Sequence, residues 1–387
     1  MQHAGRPRRY LDNAATSWPK PEAVWAAWER AARALGVAAG RGGYREALEA
    51  DAIRTRARAR AAALLGGVDP ARVALPSGAT LALNMAIQGL VRPGDHVLAT
   101  AADHNATLRP LEQLRRGGVI GLTVVPCDGM GRVDPGEIAA AWRPGTRLVV
   151  CSHASNVTGA LQDTTAIAAV AHERGGLLIL DAAQSLGQVS IDAAGHPAWG
   201  ADVVAAPAHK WLHGMAGVAI LWARAGVEIA PLVHGGTGSA SDSLDMPAPF
   251  TDRLEAGTPD LPALAALEAA AVWLEQETIA AIHETCSRLA TTCAERLRGI
   301  RSARVYSARG GGPPIVSFTL DGYDPAELAA LLEQAAGVQA RSGFHCAACV
   351  HEWLGTRAGG TVRLAFGPFN SAADVDAVVA AVGQCAT

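Results

Sequence analysis

From about residue 70 to residue 223 the chain repeats one pattern, a short apolar run followed by a stretch with apolar positions at helical spacing. The runs expected as strands are Arg72 to Leu75, His96 to Thr100, Leu122 to Pro126, Arg147 to Ser152, Leu177 to Leu180, Val203 to Ala206 and Val218 to Trp222. Ala-rich segments such as Thr164 to Arg174 lie between several of them. Strands alternating with helices predict a mostly parallel sheet covered on both faces. Leu177-Leu178-Ile179-Leu180, apolar at every position, suits burial on both sides.

The Gly/Ser/Asp-rich stretch His234 to Asp245 reads as a loop. A long helical region is expected after Pro262, reaching about Leu297, and Gly310 to Pro314 punctuates the chain. A smaller unit follows, with strands at Ile315 to Leu320 and Thr361 to Phe366, a helix near Pro325 to Gln334 and a closing helix from Ser371. With 387 residues, half of them apolar, the chain is long enough for two unequal domains. The expected α/β architecture has a large domain with a seven-stranded sheet over residues 21–258 and a smaller C-terminal α+β domain over 259–387. Residues 1–20 are expected to join the small one.

A net charge of -3 with interspersed signs argues against nucleic acid. No run of ~18 apolar residues suggests a membrane span, and no apolar stretch follows the arginines of residues 1–10 as in a secretory signal. Seven scattered cysteines, an odd number, are expected to be reduced in a cytoplasm.

Among 33 basic residues only Lys20 and Lys210 are lysines. Arginine supplies charge but cannot form a Schiff base, so each lysine invites scrutiny. Lys20, between Pro19 and Pro21, reads as a surface charge in an exposed loop. Lys210 follows an apolar strand, 29 positions after Asp181, which ends another. In an open parallel sheet both would stand at the carboxyl edge, where ligands bind. An acid for a pyridine nitrogen and an amine for an imine are what pyridoxal phosphate requires; the plainer readings are a capping Asp and a structural ion pair. Ser77-Gly78-Ala79-Thr80, between a strand and a helix, offers backbone N–H groups to a phosphate, although such a turn is more often only a cap. No Walker or G-x-G-x-x-G glycine pattern is present, which argues against a nicotinamide dehydrogenase.

Arg341-Ser342-Gly343-Phe344-His345-Cys346-Ala347-Ala348-Cys349, with His351, is the other exceptional segment. Its Cys and His lack the paired spacing of a zinc site, so no metal is expected. A C-x-x-C redox pair lacks the usual strand-to-helix setting. A thiol on a Gly-containing loop beside Arg and His is better placed as a nucleophile.

Taken in order, these segments resemble the class V aminotransferases, and within them the cysteine desulfurases with a compact Suf-type catalytic loop. Tyr10-Leu11-Asp12-Asn13-Ala14-Ala15-Thr16, Asp103-His104, Ser155-Asn156, Asp181 to Gln184, His209-Lys210, Ala256-Gly257-Thr258 and Thr361-Val362-Arg363-Leu364 carry the likeness. It implies a fold-type I enzyme that uses pyridoxal 5'-phosphate and works as a homodimer. Lys210 would carry the cofactor, Asp181 would pair with its ring nitrogen, His104 would stack on its face and Gln184 would bond its hydroxyl. Ala79, Thr80, His209 and Gly257 would help bind it, with Thr258 of the partner subunit on the phosphate. Asn156, Arg363, Arg341 and Ala15 would contact a small amino acid, L-cysteine or a close analogue.

By the same resemblance, Lys210 would remove the substrate's α-proton and Cys346 would take its sulfur, leaving alanine and a persulfide for an acceptor protein. Pro207 departs from relatives that place Ser or Thr there to bond phosphate. Cys349 is not a usual requirement, and is a candidate to accept sulfur from Cys346 or to pair with it. Alternatives with the same cofactor are a selenocysteine lyase, a C–S lyase, an aminotransferase or an epimerase. A non-catalytic sulfur-handling scaffold is the alternative from another class.

Overall fold

The computed structural model describes residues 7–40, 42–195, 199–308 and 310–386. Residues 1–6, with Arg6 of the N-terminal arginines, lie outside the described residues. In chain order the first strands are β1 (Arg9–Tyr10), β2 (Val73–Ala74), β3 (His96–Thr100), β4 (Gly121–Val125), β5 (Thr146–Ser152), β6 (Leu177–Asp181), β7 (Val203–Pro207) and β8 (Ala219–Ala223). After them come β9 (Ala303–Val305), β10 (Ile315–Leu320), β11 (Val338–Gln339), β12 (Arg341–Gly343) and β13 (Thr361–Ala365).

Seven strands form the large sheet in the order β2-β8-β7-β6-β5-β3-β4. All run parallel except β8, which is antiparallel to both of its neighbours. The apolar β6 explains itself by its two faces. Leu178 and Leu180 join one buried cluster with Val204 and Ala206, while Ile179 joins another with Val203 and Ala205. Each fully buried Leu or Ile contributes about 1.5–3 kcal/mol, which a one-faced strand would gain at only every second position.

Aspartates placed just before the helices start several of them. Asp134, Asp163, Asp260 and Asp324 each accept a first-turn N–H, and Pro135, Pro262 and Pro325 sit in the first turns that follow. The helical region after Pro262 is two helices, Leu261–Glu277 and Ile279–Arg298, not one. The break falls at Thr278, which has φ +59° and whose hydroxyl accepts from Ala281 N at 3.3 Å. No Gly or Pro marks that break, so helical spacing runs through it unnoticed.

β12-β13-β10-β9 form an antiparallel sheet, and β1 pairs in parallel with β11 beside it. Its core joins Phe318, Val362, Leu364 and Phe366 to Leu297, Leu332 and Val378 of the covering helices. Leu11 of the N-terminal segment is buried in the same cluster. Among the described residues no helix is long and apolar enough to cross a membrane.

Candidate active site

Because β6 and β7 are hydrogen-bonded neighbours with Asp181 opposite Ala205, the acid and the segment leading to Lys210 emerge from the same edge. Asp181 is 4% exposed and its Oδ1 accepts from Ala183 N at 2.9 Å. Burial raises its pKa, against that hydrogen bond and the charge of Lys210. Lys210 lines a cavity of about 320 Å³ together with Asp181. Burial lowers its pKa to about 8; Asp181 and Cys346 oppose this, while Arg363 and Arg341 add to it. The amine is therefore far easier to deprotonate than an ordinary lysine.

Gly78, Ala79 and Thr80 form one wall of the cavity. Gly78 is the N-cap of the helix Ala79–Leu90 and, among the described residues, no side-chain cap bond is made at that end, which leaves its first-turn N–H groups suited to an anion. His104 forms another wall. It caps the helix Asn105–Arg116, its Nδ1 accepting from Ala106 N at 3.0 Å. Burial, helped by Lys210, Arg341 and Arg363, brings its pKa to about 4, so the ring is neutral. Gln184 is fixed at both ends: Oε1 accepts from Trp211 Nε1 at 2.8 Å and Nε2 donates to Ala14 O at 3.0 Å.

Arg363, Asn156, Arg341 and Ala15 line the cavity as well, with His209 and Pro207. Arg363, on β13 and 1% exposed, donates to Asp12 Oδ1 at 2.8 Å and to Asn156 O at 2.9 Å. Asn156 Nδ2 donates to His345 O at 2.7 Å.

Cys346 stands in an adjoining hollow of about 420 Å³ that shares Thr80, His104 and Ala106 with the main cavity. It is exposed, and Arg341 Nη2 donates to its Sγ at 3.2 Å. His345 and Cys346 have φ of +50° and +60°, a costly region for side chains other than Gly. Their conformation is held from outside: Asn156 bonds the His345 carbonyl and Asn105 N donates to Cys346 O at 2.7 Å. His345 Nε2 lies 3.1 Å from the Thr361 carbonyl, to which it donates.

Two sequence-predicted site residues, Gly257 and Thr258, do not line the cavity of their own chain. Cys349 caps the short helix Val350–Trp353 and lies against the buried core, where burial raises its pKa. Lys20 departs from the surface reading: it is half-buried and donates to Ser17 O, Ser17 Oγ and His209 O. Sequence reasoning also gave no role of their own to Asp12, which pairs with Arg363, and Asp103, which accepts from Thr100 N and Ser152 N at 2.7 and 2.6 Å. Burial lifts the Asp103 pKa to about 7. Both lie within segments that carried the family likeness, but only the folded chain shows what they hold.

The family model for aminotransferase class-V matches residues 9–378. The chain belongs to the class V aminotransferase family. Curated relatives of this class V chain include a "probable cysteine desulfurase" of Pseudomonas aeruginosa, 34% identical over 384 residues, covering 95% of this chain and 91% of the relative. Another, from Methanothermobacter thermautotrophicus, is 31% identical over 372 residues, 95% of this chain and 92% of its own. Among solved structures, a cysteine desulfurase of Thermococcus onnurineus superposes with TM-score 0.89 at 26% identity, over 98% of this chain and 94% of that one. The cysteine desulfurase CsdA of Escherichia coli gives 0.85 at 27% identity, over 97% and 94%.

Proposed function

We propose that the protein is a pyridoxal-phosphate-dependent cysteine desulfurase that converts L-cysteine to L-alanine and leaves the sulfur on Cys346. The observation that carries this is the Arg341–Cys346 contact, in a hollow continuous with the walls around Lys210 and Asp181. The relatives' names support the same reading.

The residues fit the cofactor by their chemistry: a low-pKa amine, a buried carboxylate on the adjacent strand, and a helix N-terminus without a side-chain cap. Lys210 would hold it through its amine, Asp181 would serve its ring nitrogen, His104 its ring face and Gln184 its hydroxyl. Ala79, Thr80 and His209 would serve its phosphate, and Gly257 and Thr258 of the partner subunit would complete that site in a homodimer. Bound there, the cofactor supplies an electron sink for the substrate's α-carbon.

Arg363 and Asn156 would anchor the substrate carboxylate, a task suited to a forked guanidinium that Asp12 already orients. Ala15 and Arg341 would bound the rest of the substrate. Once released, the Lys210 amine would accept the α-proton, which its lowered pKa makes feasible near neutral pH. The Cys346 thiolate would then attack the substrate sulfur. An S–S bond forms as the Cβ–S bond breaks, its electrons remain with carbon, and carbon takes up a proton and leaves as alanine. The exposed Cys346 suits onward transfer to an acceptor protein, and seven unpaired cysteines suit a reducing cytoplasm.

A single turnover with L-cysteine tests this. Alanine and protein-bound sulfur are expected in equal amounts, and Cys346→Ala should abolish the bound sulfur while keeping the coloured cofactor. Alanine formed at the wild-type rate by that variant would sink the reading.

A further inference from the structure

The chain's only two lysines are joined through one peptide. Lys20 Nζ donates to Ser17 O at 3.0 Å, to Ser17 Oγ at 2.9 Å and to His209 O at 3.1 Å. The last is the carbonyl of the peptide that leads into Lys210. Thr16 Oγ1 and Ser17 N also donate to that carbonyl at 3.0 Å, and Ser17 Oγ lies 3.2 Å from it. On the far side of the turn, His213 N donates to Lys210 O at 3.0 Å. The peptides flanking Lys210 are thus gripped at both carbonyls, and the grip on the first comes from a segment 189 residues away.

An ammonium presents three N–H groups from one atom in a tetrahedral spread, matching the three oxygens here. A guanidinium presents its donors from a flat fork and cannot converge on them in the same way. In a chain that otherwise writes positive charge as arginine, this is a physical reason for a lysine at position 20. Its partners are neutral oxygens, and burial lowers its pKa to about 8. The ammonium is therefore held at some cost in solvation.

We propose that Lys20 is a positioning residue: by clamping the His209 carbonyl it fixes the direction from which the Lys210 amine reaches the cofactor aldehyde. The proposal rests on the reading of Lys210 as the cofactor lysine. The step it governs is a condensation, in which amine and aldehyde form a C=N bond and lose one water.

The test uses full-length Lys20→Met and Lys20→Arg, stripped of cofactor. Condensation is followed by visible absorbance at saturating pyridoxal phosphate. Binding is measured separately with pyridoxine phosphate, whose alcohol cannot form an imine. Since a misplacement of ~1 Å can cost about 100-fold in rate, both variants should condense roughly 10- to 100-fold more slowly. Lys20 does not line the cavity. Pyridoxine phosphate should therefore bind both variants within about twofold of wild type, because a group that acts only on the approach of the reacting amine changes the rate and not the ground-state affinity. Wild-type condensation in Lys20→Arg or Lys20→Met would overturn the proposal. So would a parallel loss of pyridoxine phosphate affinity, which marks a merely structural role. If the wild-type protein itself formed no adduct that Lys210→Ala removes, the Lys210 reading would be what failed.

Discussion

Lys210 and Cys346 are both reagents made by their surroundings. With the amine's pKa lowered to about 8, its neutral form dominates above that pH and declines about tenfold per pH unit below it. The rate of condensation of the cofactor-free protein with pyridoxal phosphate should therefore rise with pH and level off above about 8; a rise that continues unbroken towards the ordinary lysine range would contradict the burial account. Arg341 makes a parallel case. Its Nη2 lies 3.2 Å from Cys346 Sγ and fixes where the thiol sits, so Arg341→Ala should slow formation of protein-bound sulfur by roughly 10-fold in a single turnover. Burial lifts Cys127, Cys286 and Cys293 to about 12 while Cys346 is exposed, so iodoacetamide should label Cys346 ahead of those three, as read by mass spectrometry. Lys210 was legible in the sequence because lysine is so rare in it and because a strand runs straight into it. Lys20 was not, since its role depends on a carbonyl far away in sequence that proximity alone reveals.

The strands of the large sheet were readable because burial on both faces demands apolar residues at every position, and β6 shows it plainly. β1, β9, β11 and β12 have only two or three residues each, too few for any alternation to register. Yet β12 leads into the loop that carries Cys346. It pairs with β13, placing Arg341 opposite Arg363 and Gly343 opposite Thr361. Gly360, with φ +82°, is where the chain passes closest to it: a Cβ there would lie 2.1 Å from Gly343 O. Gly360→Ala must displace that strand, at a cost of about 1–3 kcal/mol by the usual penalty for overpacking. The expected result is a lower unfolding midpoint and slower formation of protein-bound sulfur, with cofactor affinity little changed because the Lys210 edge is built on other strands. Unchanged sulfur transfer in a well-folded variant would show that the loop does not depend on this approach.

Across the molecule, the cavity draws on both sheets: Asp181 and the His209–Lys210 turn from the large one, Arg341 and Arg363 from the small one. The N-terminal segment links them, since β1 pairs with β11 and Leu11 is buried in the small sheet's core while Ser17 and Lys20 grip His209. The order of motifs along the chain carried this site in outline. The convergence of three distant segments came only with the fold, because hydrogen bonds to backbone carbonyls leave no pattern in side-chain type. With two lysines in the whole chain, the central claim has a direct test: reduce the cofactor-loaded protein with borohydride, digest it and map the pyridoxyl label by mass spectrometry. The label is expected on Lys210 alone, with Lys20 unmodified. A label on Lys20, or none on Lys210, would contradict the account.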